Sequence, residues 1–379
     1  MDGISQEAFD RLRLIRSENI GPVTYRHLMG RFGSAARALA AIPTLAARGG
    51  GRSPRLADAQ QIDTEIAAIR KLDARMLFLG DPAYPGLLGE LGNAPPLLLW
   101  QGRLELIERP MVAMVGARNA SAAACRFAQN LANDLVEAGV SVVSGLAKGI
   151  DTAAHRGSIG KATIAVIAGG LDIFYPPENE EMQTEIAQRG LLLAEQSPGT
   201  EPRARHFPYR NRIIAGLARG TVVIEAAPRS GSLITARLAA EAGRQVMAVP
   251  GSPLDPRSRG CNLLIREGAT LVQSVDDVLE MIRHFDDRVE DVDALPQPFE
   301  NDFQGREPLI ENVKNAGDQH DLVWNLLSNT PVAVDEIVRQ SAMTLAQLQL
   351  LLLEFELAGK ITRHAGGKIS RNDIRPRIS

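Results

Sequence analysis

The sequence predicts an α/β protein in three parts: a doubly wound, mostly parallel β-sheet, a small helical domain before it, and a compact helix-and-hairpin domain after it. Two observations carry this. From residue 109 to about residue 282, short and nearly uninterrupted apolar runs alternate with helical segments, the pattern of parallel strands buried on both faces and joined by crossover helices. Residues 1–75 instead alternate apolar and basic positions at helical spacing, with little that reads as strand. The length agrees, because 379 residues exceed what one core usually organises.

In the first part, Gly21-Pro22 and Gly33-Ser34 punctuate the helices. The run Asn19-Ile20-Gly21-Pro22, a helix carrying Leu28, then Phe32-Gly33-Ser34 fits a helix-hairpin-helix, or SAM-like, element, in which a glycine turn brings backbone N–H groups to a phosphate; plain helix packing explains the same pattern. The second part, 76–285, has candidate strands at 111–115, 140–144, 163–168, 191–194, 221–225, 245–249 and 270–273. Between the first two, Ser121 is placed to cap a helix whose Ala124, Ala128, Leu131 and Leu135 share one face, which makes a Rossmann-type βαβ unit. Residues 286–318 hold ten acids against three bases, with Pro296, Pro298 and Pro308, and read as a flexible acidic linker. From 319 to 379, helices at 322–327, 334–340 and 345–357 precede two strand-like runs about Gly366-Gly367, the pattern of a winged helix.

Composition narrows the function classes. Cys125 and Cys261 are the only cysteines and lie in no zinc or iron–sulfur spacing, which suits a reducing compartment. No apolar leader and no membrane-length run occur, so a cytoplasmic protein without a membrane partner is expected. A net charge of −3 argues against a nonspecific nucleic-acid coat, but the charge is segregated. Residues 11–55 hold nine arginines against the single acid Glu18, and residues 202–220 hold Arg203, Arg205, Arg210, Arg212 and Arg219 without a carboxylate.

In an open parallel sheet, ligands bind beyond the carboxyl ends of the strands. The loops there read Gly116-Ala117-Arg118-Asn119, Ser144-Gly145-Leu146-Ala147-Lys148-Gly149-Ile150-Asp151 and Gly169-Gly170-Leu171-Asp172. Glycines at such positions let amides, helix N-termini and cations face a phosphate. Neither a GxGxxG fingerprint nor a Walker sequence is present, so no NAD, ATP or other cofactor is expected. Next, Arg203-Ala204-Arg205-His206-Phe207-Pro208-Tyr209-Arg210-Asn211-Arg212 interleaves arginines with aromatics, as sequence-tolerant single-strand binding requires. Arg229-Ser230-Gly231-Ser232 then opens another helix with hydroxyls and amides for a phosphate or a cap. The expected DNA-contacting set is Arg118, Ser144, Gly145, Lys148, Gly149, Lys161, Arg205, Phe207, Arg210, Asn211, Arg212, Arg229, Ser230, Gly231 and Ser232.

Several residues admit plainer readings. Asp151 and His155 are spaced i, i+4 as metal ligands can be, but no third ligand is evident and Asp151 is read as an N-cap, so no metal or catalytic residue is assigned. Glu225 reads as a carboxylate bonded to loop amides, and Cys125 as a small core residue. Phe207 is either a base-stacking ring or a core plug, and one of Arg210 and Arg212 is expected to turn inward to an acid.

These motifs, with Ala154-His155, Phe207 to Ile214, Ser230 to Ala236, Pro250-Gly251 and Gly260-Cys261-Asn262-Leu263-Leu264-Ile265, resemble in order the DprA/Smf family of DNA-processing proteins over roughly residues 80–285. The resemblance implies a non-enzymatic protein with a dimeric Rossmann core. Such a protein binds single-stranded DNA taken up in natural transformation and loads the RecA recombinase onto it, displacing single-strand binding protein. Two other functions fit parts of the sequence less well. A Rossmann-like nucleotide phosphoribohydrolase resembles its relatives in a PGGxGTxxE segment, but the corresponding turn, Ser230 to Arg237, lacks the glutamate. A duplex-DNA regulator acting through the winged helix would need a polar reading helix, and 345–357 is crowded with leucine, although Lys360, Arg363, Lys368 and Arg371 remain available to phosphates.

Overall fold

Residues 4–293, 316–364 and 366–372 are described by the computed structural model, in which the chain divides into two units, Thr64–Pro298 and Met1–Asp63 with Phe299–Ser379. The N-terminal helices start and stop where the sequence provides caps. Ser5 accepts from the Ala8 amide at the head of α1 (Gln6–Arg16), and Pro22 opens α2 (Pro22–Phe32) behind Gly21. Gly33 ends α2 with φ 71°, a left-handed value that glycine adopts without strain, and Ser34 caps α3 (Ala35–Arg48) through the Arg37 amide. Leu14, Tyr25, Leu28, Ile42 and Leu45 form their shared core. Helix α4 (Ala59–Lys71) leads to the sheet.

The sheet unit comprises, in chain order, β1 (Arg75–Phe78), the short α5 (Gly86–Gly89), β2 (Leu97–Gly102), β3 (Met111–Gly116), α6 (Ala122–Glu137), β4 (Ser141–Ser144), α7 (Ile150–Ser158), β5 (Thr163–Ile167), α8 (Glu180–Arg189), β6 (Leu191–Ala194), α9 (His206–Leu217), β7 (Gly220–Ile224), α10 (Gly231–Glu241), β8 (Gln245–Ala248), α11 (Arg259–Arg266), β9 (Thr270–Leu271) and α12 (Val275–Asp293). The spatial order is β1-β2-β6-β5-β4-β3-β7-β8-β9. All seven strands expected from the sequence are there and mutually parallel, and Ser121 caps α6 through the Ala124 amide as expected. The sequence reading missed β1 and β2, which extend the β6 edge in antiparallel fashion. The central strands are buried on both faces, with Val112, Val142, Ile164 and Val222 fully enclosed. Where a linker was expected from residue 286, α12 continues to Asp293; the remainder of that segment up to residue 315 lies outside the described residues.

The C-terminal part is a winged helix: α13 (Ala316–Leu326), β10 (Val332–Ala333), α14 (Val334–Ser341), α15 (Leu345–Leu357), β11 (Ile361–His364) and β12 (Lys368–Arg371), with the three strands ordered β10-β12-β11. A capping box between Thr344 and Gln347 starts α15. The leucines of α15 serve two cores. Leu348, Leu352 and Phe355 pack with Val323, Ile337 and Ile369 of the winged helix, while Leu353 and Leu357 enter the core of the N-terminal helices. Every residue from Leu351 to Phe355 is buried, so this stretch of the helix has no face left for a DNA groove. Leu357→Ala is therefore expected to cost about 2–5 kcal/mol by leaving a cavity between the two halves of this unit. Denaturant unfolding should show that unit melting early with the sheet unit unchanged; equal stability of the two proteins would contradict the packing.

Candidate functional site

Strands β3 and β7 are neighbours whose outgoing chains leave toward opposite sides of the sheet, and two adjoining hollows open beyond their carboxyl ends. The smaller, about 80 Å³, is walled by Gly145, Ile167, Gly169, Ile173, Tyr175 and Pro176. The larger, about 720 Å³, runs over the Gly116 to Asn119 loop and the start of α10. Arg118, Ala147, Phe207 and Arg210 line both.

Beneath this junction lies a buried charge pair. The Arg210 guanidinium donates to the Val166 carbonyl at 3.2 Å and lies over Gly145, where a Cβ would fall 1.3 Å from Nη1. Asp151 accepts from the amides of Gly145 at 3.1 Å and Ala147 at 3.3 Å. Burial pulls Arg210 down to about 10 while Asp151 pushes it back up, so it stays cationic at neutral pH. Burial also raises the Asp151 pKa, and Arg210 and the two amides oppose that rise. Asp151 is thus not the N-cap expected from the sequence. Gly149 holds that position with φ 78°, where a Cβ would meet the Ala117 carbonyl at 2.2 Å, and Asp151 sits in the first turn and reaches back to the loop. His155, its i+4 partner, is buried with Nδ1 2.7 Å from the Thr163 hydroxyl, and no group of three or more metal-ligating side chains occurs among the described residues.

On the rim, Arg118 is exposed, with its guanidinium 5.4 Å from the centroid of Phe207; Arg210 approaches the same ring at 6.0 Å, and Tyr175 lies 5.6 Å away at 55°. Phe207 is half-buried, neither a core plug nor free. Lys148 pairs with Glu178 at 2.5 Å, but both side chains are more than half exposed, so an incoming phosphate competes with a weak partner. Arg205 and Arg229 are exposed, and Asn211 donates to the Gly231 carbonyl at 3.5 Å. The Ser230 hydroxyl meets that of Ser232 at 2.9 Å instead of capping α10, so the amides of its first turn carry no side-chain cap. Glu225 accepts from both the amide and hydroxyl of Ser121, at 2.8 and 2.6 Å, as its reading required.

Three expected residues are not delivered to the crevice as side chains. Ser144 is buried and donates to the Met114 carbonyl at 2.7 Å. Arg212 is buried against Glu195 at 2.5 Å, so Arg210 and Arg212 both turn inward where one was expected to. Lys161 precedes β5, at the opposite end of the strands, and pairs with Glu137 and Asn133. The crevice in turn contains residues outside the expected set: Asn119, which stands in the glycine loop already singled out, Tyr175, signalled as an aromatic in the loop after β5, and Arg257, which had no signal.

Burial holds the His155 pKa down to about 3, with the Arg210 charge adding to the effect. The unfolded chain takes up a proton near pH 6.5 that the folded one refuses, so this contribution to stability is complete above about pH 6.5 and falls away progressively toward about pH 3. His27, held to about 4 by burial and by Arg363 and Arg26, acts in the same direction. Removing the His155 proton site with His155→Leu is expected to flatten the acid limb of stability measured by urea unfolding between about pH 7 and pH 4. An unchanged limb would show that His155 titrates normally in the folded protein.

The family described as DNA recombination-mediator protein A matches residues 75–283, a DprA-like N-terminal HHH domain matches 5–68, and a DprA winged helix domain matches 311–367. DNA processing protein DprA of Streptococcus pneumoniae is 52% identical over 205 residues, covering 52% of this chain and 71% of that protein. The X-ray structure of DNA processing protein A from S. pneumoniae superposes with a TM-score of 0.61 at 36% identity, over 73% of this chain and 98% of that one. A structure of DNA processing protein A from Helicobacter pylori, described for its single-stranded DNA binding mode, gives a TM-score of 0.50 at 28% identity, over 57% and 96%.

Proposed function

The chain belongs to the DNA recombination-mediator protein A family, the DprA/Smf family, and from that premise we propose that its crevice binds single-stranded DNA in the cytoplasm without acting on it chemically. One observation carries the reading: at the junction of two hollows, the half-buried Phe207 ring is flanked by the cations of Arg118 and Arg210 and by the ring of Tyr175. A base finds an aromatic face there, and its phosphates find Arg118, Lys148 and the uncapped amides of α10. A duplex, whose bases are stacked on each other, cannot use that face. Two carboxylates of the crevice that could act in an enzyme are committed to structure: Asp151 holds loop amides and Glu225 holds Ser121. Following the family, the protein would protect incoming DNA in natural transformation, load RecA and help it displace single-strand binding protein. It would do so as a homodimer joined through the Rossmann domain, where the sheet edge at β9 exposes Leu271. Stimulation of RecA strand exchange tests that finer part, and its absence would count against it.

Oligo-dT should outcompete a matched duplex, and log affinity should fall with log salt by about 0.7 per phosphate neutralised. Equal affinities, or a flat salt response, would remove the proposal. Arg118→Ala is expected to weaken binding to every sequence and lower that slope by about 0.7. Phe207→Ala should cost roughly 1–3 kcal/mol with little change in slope. Each variant is checked for folding by its unfolding curve, and normal binding by both would place the DNA elsewhere.

A further inference from the structure

The docking of the winged helix onto the N-terminal helices brings together cations from two distant parts of the chain. The end of α3 runs into Gly49-Gly50-Gly51, and this turn lies against the end of α15: a Cβ on Gly49 would fall 2.2 Å from the Glu354 carbonyl, and one on Gly51 2.4 Å from the Ala358 carbonyl. No other residue allows the two backbones so close. The hairpin turn before α2 joins the contact, because the Asn19 side-chain Nδ2 donates to the Leu357 carbonyl at 3.4 Å. The phosphate-binding role that the helix-hairpin-helix pattern suggests for that turn therefore meets a turn already in contact with α15.

The charge collects beside the glycine turn instead. The Lys360 ammonium lies over Gly50, 2.7 Å from where a Cβ would be, between the exposed Arg48 and Arg52 in sequence. Arg48, Arg52 and Lys360 make no ion pair among the described residues. Arg31 borders the group, since Arg31 and Arg48 both act on Glu354. On the far side, Lys360 and Arg371 stand 5.4 and 4.3 Å from the centroid of Trp324. Of the acids nearby, Glu354 is 4% exposed in its side chain and bonded to His320 at 3.0 Å, Glu356 is paired with Arg363 at 2.8 Å, and the exposed Glu18, beside Asn19, accepts from the Arg55 amide at 3.2 Å.

We infer that Arg48, Arg52 and Lys360 form a second phosphodiester-binding surface, composite between the N-terminal helices and the winged helix and separate from the crevice. Protein partners are held mainly by buried aromatic and aliphatic anchors, and this patch presents charge around a tryptophan already in contact with two cations. A nucleic-acid backbone, in contrast, is held by charge alone. A strand long enough to occupy both sites is held at two points, so even a weak second contact raises the affinity for long strands.

The test uses the full chain and the combined variant Arg48→Ala, Arg52→Ala, Lys360→Ala, whose substitutions lie at exposed or half-buried side chains, with an unchanged unfolding curve as its control. Probes are oligo-dT of about 6 and about 60 nucleotides, a duplex of the longer length, and poly-glutamate. The expected result is a roughly tenfold or greater loss of long-strand affinity at low salt, a salt slope lower by about 2, and an unchanged short strand. A parallel loss with the duplex identifies a surface for any phosphodiester backbone, and a loss with the single strand alone identifies an extension of the single-strand path; both support the inference. Unchanged affinity and slope for the long strand and the duplex would overturn it, as would loss of poly-glutamate binding alone. Failure of the short strand to bind even the unaltered protein would count against the crevice and leave this readout, which rests on the longer probes, intact.

Discussion

The crevice depends on one buried cation. Arg210 is an arginine enclosed at the carboxyl ends of β4 and β5, and its position dictates its neighbours: a glycine at 145 because the guanidinium occupies the space of a side chain, a carbonyl from Val166 to accept a hydrogen bond, and a carboxylate at 151 to balance the charge. Each charge offsets part of the other's burial, Asp151 raising the Arg210 pKa and Arg210 lowering that of Asp151. Phe207 lies three residues earlier on α9, on the same helical face, so anchoring Arg210 also sets the ring at the junction of the two hollows. The glycine-rich loop, the buried pair and the aromatic ring are therefore one construction.

That construction explains how a chain of net charge −3 can hold a polyanion. Its acids at the crevice are spent on structure: Asp151 and Glu225 accept hydrogen bonds from loop amides and Ser121, and their charges are partly cancelled where they lie. The cations at the rim are left facing solvent or, like Lys148, held by an exposed partner that exchanges readily. Loop residues Leu146, Glu225 and Arg229 keep positive φ values of 55°, 48° and 66°, conformations that side-chain-bearing residues seldom adopt and that cluster where backbone must turn sharply to present a site.

Much of this was legible in the sequence because buried parallel strands are written as apolar runs and the loops after them as glycine and arginine. The seven parallel strands and the residues Arg118, Lys148, Phe207 and Ser230 to Ser232 follow from that pattern. Strands β1 and β2 did not, because both lie ahead of the βαβ alternation and β2 follows Pro95-Pro96. The direction of a side chain was also hidden: Arg210 and Arg212 sit in the same arginine-aromatic run as Arg205, and only the packing of α9 shows that two of the three point inward. Lys161 is a cation next to a strand in the sequence, but it precedes β5 and so belongs to the other end of the sheet. The crowding of leucine in α15 excluded a groove-reading helix, while the identity of what those leucines pack on, the helices at the other terminus of the chain, required three dimensions.

The most direct test of the account is a photocrosslink from 5-iodouracil placed in oligo-dT, with the attachment site mapped by peptide mass spectrometry. The halogenated base reacts with a residue it touches, and aromatic rings are favoured. Adducts on Phe207 or Tyr175, competed away by unlabelled oligo-dT and not by duplex, are the predicted result. Adducts confined to residues outside the two hollows, with none on these rings, would contradict the central claim that a base is held at the Arg118–Phe207–Tyr175 junction.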